Sequence, residues 1–311
     1  MAKIRIMFSR YSAFYSPLIA TEAGGFLAAE GLEAEFTVAG GGAPPRAQLN
    51  DGSVELIQSA PSASWAPLER GESSDIVHFA EINQRDGFFI AGRQPDPDFT
   101  WPKLKGASVL ADHGGQPLAM LKYALHKEGV DYASLNAIDA GAPDAMVAAF
   151  RQGQGDYIHL QGPAPQQLEH DGVAHVLASV GEAIGPVAFS SLCATRAWLG
   201  TDMARAFVRA YAKSRSWVAS APPAAVAKAE EPFFEGVDEA VLARTIASYQ
   251  RLGCWQGPLE IPRDAYEVAL DVFQHSGLIT RRHAYDAVVV PPPTGLTGRR
   301  ANRVRKSCSP G

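Results

Sequence analysis

Apolar and polar residues alternate through Lys3-Ile4-Arg5-Ile6, the period-two pattern of a strand, over about Ile4 to Phe8. After the loop Ser9 to Pro17 the period lengthens. Leu18, Ile19, Ala23 and Leu27 recur at helical spacing, with Pro17 suited to a first turn and Gly24-Gly25 to Gly31 ending the run. Strands are then expected over Leu32 to Val38, Val54 to Gln58, Ile76 to Glu81 and Phe88 to Ala91, with a short helix ending near Asp51-Gly52. The Pro/Asp-rich stretch Gln94 to Asp98 reads as a crossing segment. Beyond it the alternation restarts, with strands over Ala107 to Ala111, Leu135 to Asp139, Asp156 to Leu160 and Val173 to Ser179. Helical patterns over Leu118 to Lys127, Asp144 to Arg151 and Pro165 to Asp171 separate them. A strand over Val187 to Ala194 returns the chain, and an amphipathic helix over Arg205 to Val218 sets Ala206, Phe207, Tyr211 and Val218 on one face.

Strands alternating with helices predict an α/β fold with mainly parallel sheets, in which ligands sit at the carboxyl ends of strands. The restart predicts two lobes: residues 1–92 and 188–288 form the first, residues 93–187 are inserted as the second, and residues 289–311, rich in Pro, Gly and Arg, form an unfolded tail. A length of 311 residues with 46% hydrophobic and 20% charged side chains supplies two cores. A net charge of -5 without a basic stripe before the last dozen residues argues against nucleic acid as a partner. No apolar run approaches the roughly 20 residues that cross a bilayer, so no membrane insertion is expected, and the protein is expected to be a monomer. The amino terminus reads as a strand rather than a signal peptide, which as written predicts a cytoplasmic protein.

Loops after strands carry the candidate chemistry. Tyr11, Phe14 and Tyr15 after the first strand, and Trp65 after the third, offer stacking surfaces to a flat solute, although each serves equally well as core. Ser59, Pro61 and Ser62 stand at a strand end and helix start, where hydroxyls and free N–H groups hold polar ligand atoms or simply cap the helix. In His113-Gly114-Gly115-Gln116 the glycines let backbone approach a ligand ahead of a helix aimed at the cleft. Gln161, followed by Pro163, and Asn83 can each pair with a heterocycle edge. Arg10 and Arg46 are read as solvated surface groups, which leaves a neutral or singly charged, partly aromatic ligand. No catalytic residue, metal site or cofactor is predicted. His170 and His175 are not in helical register, and His78, His113 and His159 pair with no nucleophile motif. Cys193, Cys254 and Cys308 form neither a disulfide framework nor a zinc pattern.

Several phrases occur in a telling order: Tyr11-Ser-Ala-Phe-Tyr-Ser-Pro-Leu, Glu22-Ala-Gly-Gly-Phe-Leu-Ala-Ala-Glu-Gly-Leu, Asp51-Gly-Ser-Val-Glu-Leu, Trp101-Pro-Lys-Leu-Lys-Gly and Gly153-Gln-Gly-Asp-Tyr-Ile. Over about residues 3 to 285 the chain resembles the substrate-binding proteins of ABC transporters for nitrate, sulfonate, taurine and thiamine-precursor uptake. That resemblance implies a type II periplasmic-binding fold with a two-strand hinge and a ligand cleft. It also implies a small organic solute, such as a sulfonate or thiamine-pyrimidine precursor, an ABC permease as partner, and the periplasm as compartment. The same fold is similar to that of the thiamine pyrimidine-precursor synthases, cytosolic enzymes built around pyridoxal phosphate, iron and a cysteine run. Here only Cys193, in Ser190-Ser-Leu-Cys-Ala, stands near that run's expected place, so binding is the expected function and an enzyme the alternative.

Overall fold

The computed structural model describes residues 1–40 and 43–294. Among the described residues, ten strands form two five-stranded sheets. In the first, β1 (Ala2–Phe8) lies parallel to β2 (Leu32–Val38) and β3 (Leu56–Ser59). The order is completed by β10 (Ser190–Thr195), antiparallel between β3 and β4 (Ile76–Asn83). In the second, β6 (Ser108–Leu110) lies parallel to β7 (Asn136–Ile138) and β8 (Tyr157–Gln161). Here β5 (Phe88–Gly92) runs antiparallel between β8 and β9 (His175–Ser179). Each sheet thus takes one reversed strand from a segment that crosses between lobes.

That pairing corrects the expected first boundary. The run Phe88–Gly92 is buried at every position and occupies an interior place in the second sheet, so the chain crosses at Gln84–Gly87, before the strand rather than after it. The Pro/Asp-rich stretch around Gln94–Asp98 is a loop within the second lobe; proline content marked a break in pairing, which is not the same as a change of lobe. The return crossing runs beside the first, with Val187 N–H donating to Gln84 O at 2.8 Å and Phe189 N–H to Asn83 O at 3.2 Å. Gly87 is required at this hinge because a Cβ there would stand 2.6 Å from the Phe14 ring.

Helices cover both sheets. The helix Asp202–Ser220 starts where Thr201 accepts a hydrogen bond from Ala204 N–H, and it buries Ala206, Phe207, Tyr211 and Val218 as its periodicity predicts. A continuous apolar cluster passes through the hinge, with Phe14 at its centre: its ring stands 5.5 Å from Tyr15, 5.3 Å from Phe189 and 4.9 Å from Tyr249. A smaller cluster around Met146, Phe150 and Leu168 backs the second sheet. The expected tail begins later than residue 289, since Val289 is buried and bridges to His78, and Val290 N–H donates to His78 O at 2.9 Å. The tail from residue 295 onward lies outside the described residues.

Candidate functional site

The carboxyl ends of β1, β3 and β8, the start of the helix Gly115–Lys127 and the two crossings converge on a cavity of about 490 Å³ between the lobes. Parallel strands put their following loops on one edge, which is why residues far apart in sequence meet there.

The first lobe supplies a rigid wall. Ser9 donates from both its N–H and its hydroxyl to Gln58 Oε1, at 3.0 and 2.7 Å. This leaves the Gln58 amide nitrogen for the cavity, beside Tyr15. Burial pushes the Tyr15 hydroxyl up to about 12, with the Gln161 and Gln58 amides beside it opposing the shift, so it stays protonated and able to donate at neutral pH. Trp65, fully buried, is among the lining residues, and the Nε1 of its indole ring donates to the Tyr266 hydroxyl at 2.9 Å. Edge contacts with Tyr266 and Phe273 fix the plane of that ring.

The second lobe reaches across. Gln116 Oε1 accepts from the Ser62 hydroxyl at 2.7 Å and Nε2 donates to Phe189 O at 2.8 Å, tying helix start to hinge. Phe88 presents a ring stacked on His159, with centroids 4.7 Å apart. Burial holds His159 near 3 and therefore neutral, the nearby Asp112 only partly opposing this. Gln161 is among the residues lining the cavity, and its amide oxygen is buried with no hydrogen-bond partner. Arg10 is the one charged side chain on the cavity wall among the described residues. Its Nη1 is held by Asp112 Oδ2 at 2.9 Å, and its guanidinium lies 5.7 Å from the Phe88 ring.

Of the residues expected from sequence, Tyr15, Ser59, Ser62, Trp65, Gly115, Gln116 and Gln161 meet at this cavity. Tyr11 and Pro163 do not. They line a second space of about 490 Å³, bordered by Ser12 and Gly162 and sharing Arg10 and Gln161 with the first. Phe14 and Asn83 belong to the hinge core, where Asn83 donates to Phe14 O at 2.7 Å and accepts from the Ser190 hydroxyl at 2.6 Å. Pro61 is buried at the start of a single turn, Pro61–Ser64. His113 and Gly114 form the turn itself, with His113 Nδ1 2.7 Å from Ala111 O and Gly114 N–H donating to Asp112 Oδ1 at 2.9 Å. Sequence reasoning missed Gln58, Phe88, Phe189, Ser190, Phe273 and Ile279, and read Arg10 as solvated where it is paired across the lobes.

Three of the serine hydroxyls on the wall are held by amide oxygens. Ser9 bonds to Gln58, Ser62 to Gln116 and Ser190 to Asn83. The Cys193 thiol, pushed up to about 12 by burial, lies in the apolar cluster with Met7, Leu49 and Ile57 rather than on the cavity wall.

A family model for NMT1/THI5-like proteins matches residues 13–225, more than half of the chain. The chain belongs to the NMT1/THI5-like family. This NMT1/THI5-like protein is 25% identical over 293 residues to YtlA of Bacillus subtilis (strain 168), provisionally named a binding protein, with 93% of this chain and 88% of YtlA covered. It also shares the two-lobed periplasmic-binding fold of solved structures. The ligand-binding component of an ABC-type import system from Staphylococcus aureus superposes with a TM-score of 0.72, at 17% identity over 94% of this chain and 97% of that one. The alkanesulfonate-binding protein SsuA from Xanthomonas axonopodis pv. citri, bound to MOPS, gives 0.70 at 18% identity over 94% and 99%. The family model's match starts at the aromatic turn Ala13-Phe14-Tyr15 and spans the hinge, so it covers most of the cavity wall but not the end of β1 with Arg10, nor Phe273 and Ile279.

Proposed function

We propose that this NMT1/THI5-like protein is a solute-binding protein, which captures a small uncharged organic molecule between its lobes and presents it to an ABC-type permease. The observation that carries the reading is the state of the polar groups on the cavity wall. The sole cation is already paired, whereas the Gln161 amide oxygen is buried without a partner. A buried acceptor left open costs free energy, and a ligand donor placed against it recovers that cost. The Tyr15 hydroxyl and the Gln58 amide lie within the same corner, so a planar group with adjacent donor and acceptor atoms fits the array. Phe88, Phe189 and Trp65 line the cavity and make that part of its wall apolar. The volume suits a solute of metabolite size.

Screening uncharged heteroaromatic amides and pyrimidines by thermal shift tests this reading. A solute at 100 times its Kd stabilises the folded state by about 2.7 kcal/mol. A Cβ at Gly115 would meet nothing within 4 Å, so Gly115→Trp can extend into the cavity without displacing backbone. Stabilisation that disappears in Gly115→Trp supports the site. Stabilisation that persists unchanged places the ligand elsewhere and defeats the proposal.

A further inference from the structure

Arg10 and Asp112 come from different lobes, and their pair stands at the edge of the cavity where the proposed solute would lie. The Asp112 side chain is 7% exposed, and both of its oxygens are used: Oδ2 holds Arg10 at 2.9 Å, and Oδ1 accepts from Gly114 N–H at 2.9 Å in the turn that starts the helix Gly115–Lys127. The carboxylate is therefore fixed by the backbone of the second lobe. Arg10 is less enclosed, with a side chain 35% exposed and a guanidinium 5.7 Å from the Phe88 ring. The neighbouring titratable groups do not replace Asp112. His159 beneath Phe88 is neutral, Tyr15 is protonated, and burial pushes the Asp86 carboxyl up to about 7, which weakens its negative charge, while its Oδ1 is taken by Phe88 N–H at 2.6 Å.

We propose that Asp112 determines which charge of solute the cavity accepts, by holding Arg10 in an interlobe pair that reserves the site for uncharged molecules. Without that carboxylate, Arg10 would face the cavity as an uncompensated cation and the same site would take a monoanion. Asp112 acts through Arg10 and not by touching solute. The inference rests on the solute-binding reading of this cavity.

Methanesulfonate and methanesulfonamide test it, because they share a shape and differ by one charge. Binding is followed by thermal shift at constant ionic strength balanced with chloride. Asp112→Asn keeps an oxygen to accept from Gly114 N–H but removes the charge. The wild-type protein should respond to methanesulfonate no more than to chloride. Asp112→Asn should bind methanesulfonate at least tenfold more tightly than wild type, with the response to the sulfonamide unchanged. That gain should vanish in Asp112→Asn combined with Arg10→Met, and also in Asp112→Asn combined with Gly115→Trp. A gain that survives either second substitution, no gain at all, or wild-type binding of methanesulfonate as tight as the variant's would overturn the inference. If wild type binds an uncharged solute that Gly115→Trp abolishes while Asp112→Asn shows no gain, Asp112's role fails and the solute-binding reading stands. If no uncharged solute binds but the Arg10-dependent gain appears, the inferred control of charge holds and the proposed solute class fails.

Discussion

The two lobes meet the cavity on different terms. In the first lobe Gln58 and Trp65 are bonded within the lobe itself, to Ser9 and Tyr266, and Arg10 and Ser62 reach partners across the gap. In the second, Gln116 and Asp112 bond across the gap, to Ser62, Phe189 and Arg10, while the Gln161 oxygen bonds to nothing. Gln58 and Trp65 are thus held without help from the second lobe, whereas Gln116 and the Oδ2 of Asp112 have their partners only while the lobes are together. Such a division lets a solute dock on a fixed face and be enclosed by a face whose own bonds reward enclosure.

The largest way to break this contrast is at the hinge cluster that both lobes share. Phe14→Ala removes a fully buried ring touching Tyr15, Phe189 and Tyr249 and should destabilise the protein by about 3–5 kcal/mol in urea unfolding. Next comes Gln161→Met. It removes an unsatisfied acceptor, so the melting temperature should hold or rise while affinity for the captured solute falls by about tenfold, the equivalent of roughly 1.4 kcal/mol; a parallel fall in both would show a purely structural role. Gln116→Ala deletes two bonds across the gap and should raise the solute's dissociation rate by a few-fold, read by stopped-flow, with little change in association.

The smallest expected effect is on pH dependence. Burial pushes Glu81 and Glu230 up to about 8 and Asp86 up to about 7, so these groups hold protons in the folded chain that the unfolded chain has released. Stability from them is greatest at low pH and is lost as pH rises toward 8. Burial also lowers His78 and His159 to about 3, which acts in the opposite sense below about pH 6.5. Between pH 6.5 and 8 only the carboxyl effect remains. The melting temperature should fall across that window, and Glu230→Gln, whose side chain can still accept from Ser16, should flatten the fall.

All ten strands were legible, because each announces itself locally through alternation or a short apolar run between turn residues; β2 at Leu32–Val38 matches residue for residue. Loops following parallel strands were legible for the same reason, and they yielded Tyr15, Ser59, Trp65, Gln116 and Gln161. What local pattern could not carry was partnership over distance. Phe88 and Phe189 look like ordinary strand residues until the crossings bring them together, and Phe273 and Ile279 belong to an amphipathic helix and its exit, which carry no mark of a cleft. Tyr11 and Tyr15 are four residues apart, yet they line different cavities. Arg10 was misread because its partner lies 102 residues away.

The most direct test of the central claim is isothermal titration of an uncharged, planar, amide-bearing solute that stabilises the protein, against wild type and Gly115→Trp side by side. A single site per chain in wild type that is lost in Gly115→Trp is the predicted result. Equal affinity in both proteins would contradict the account.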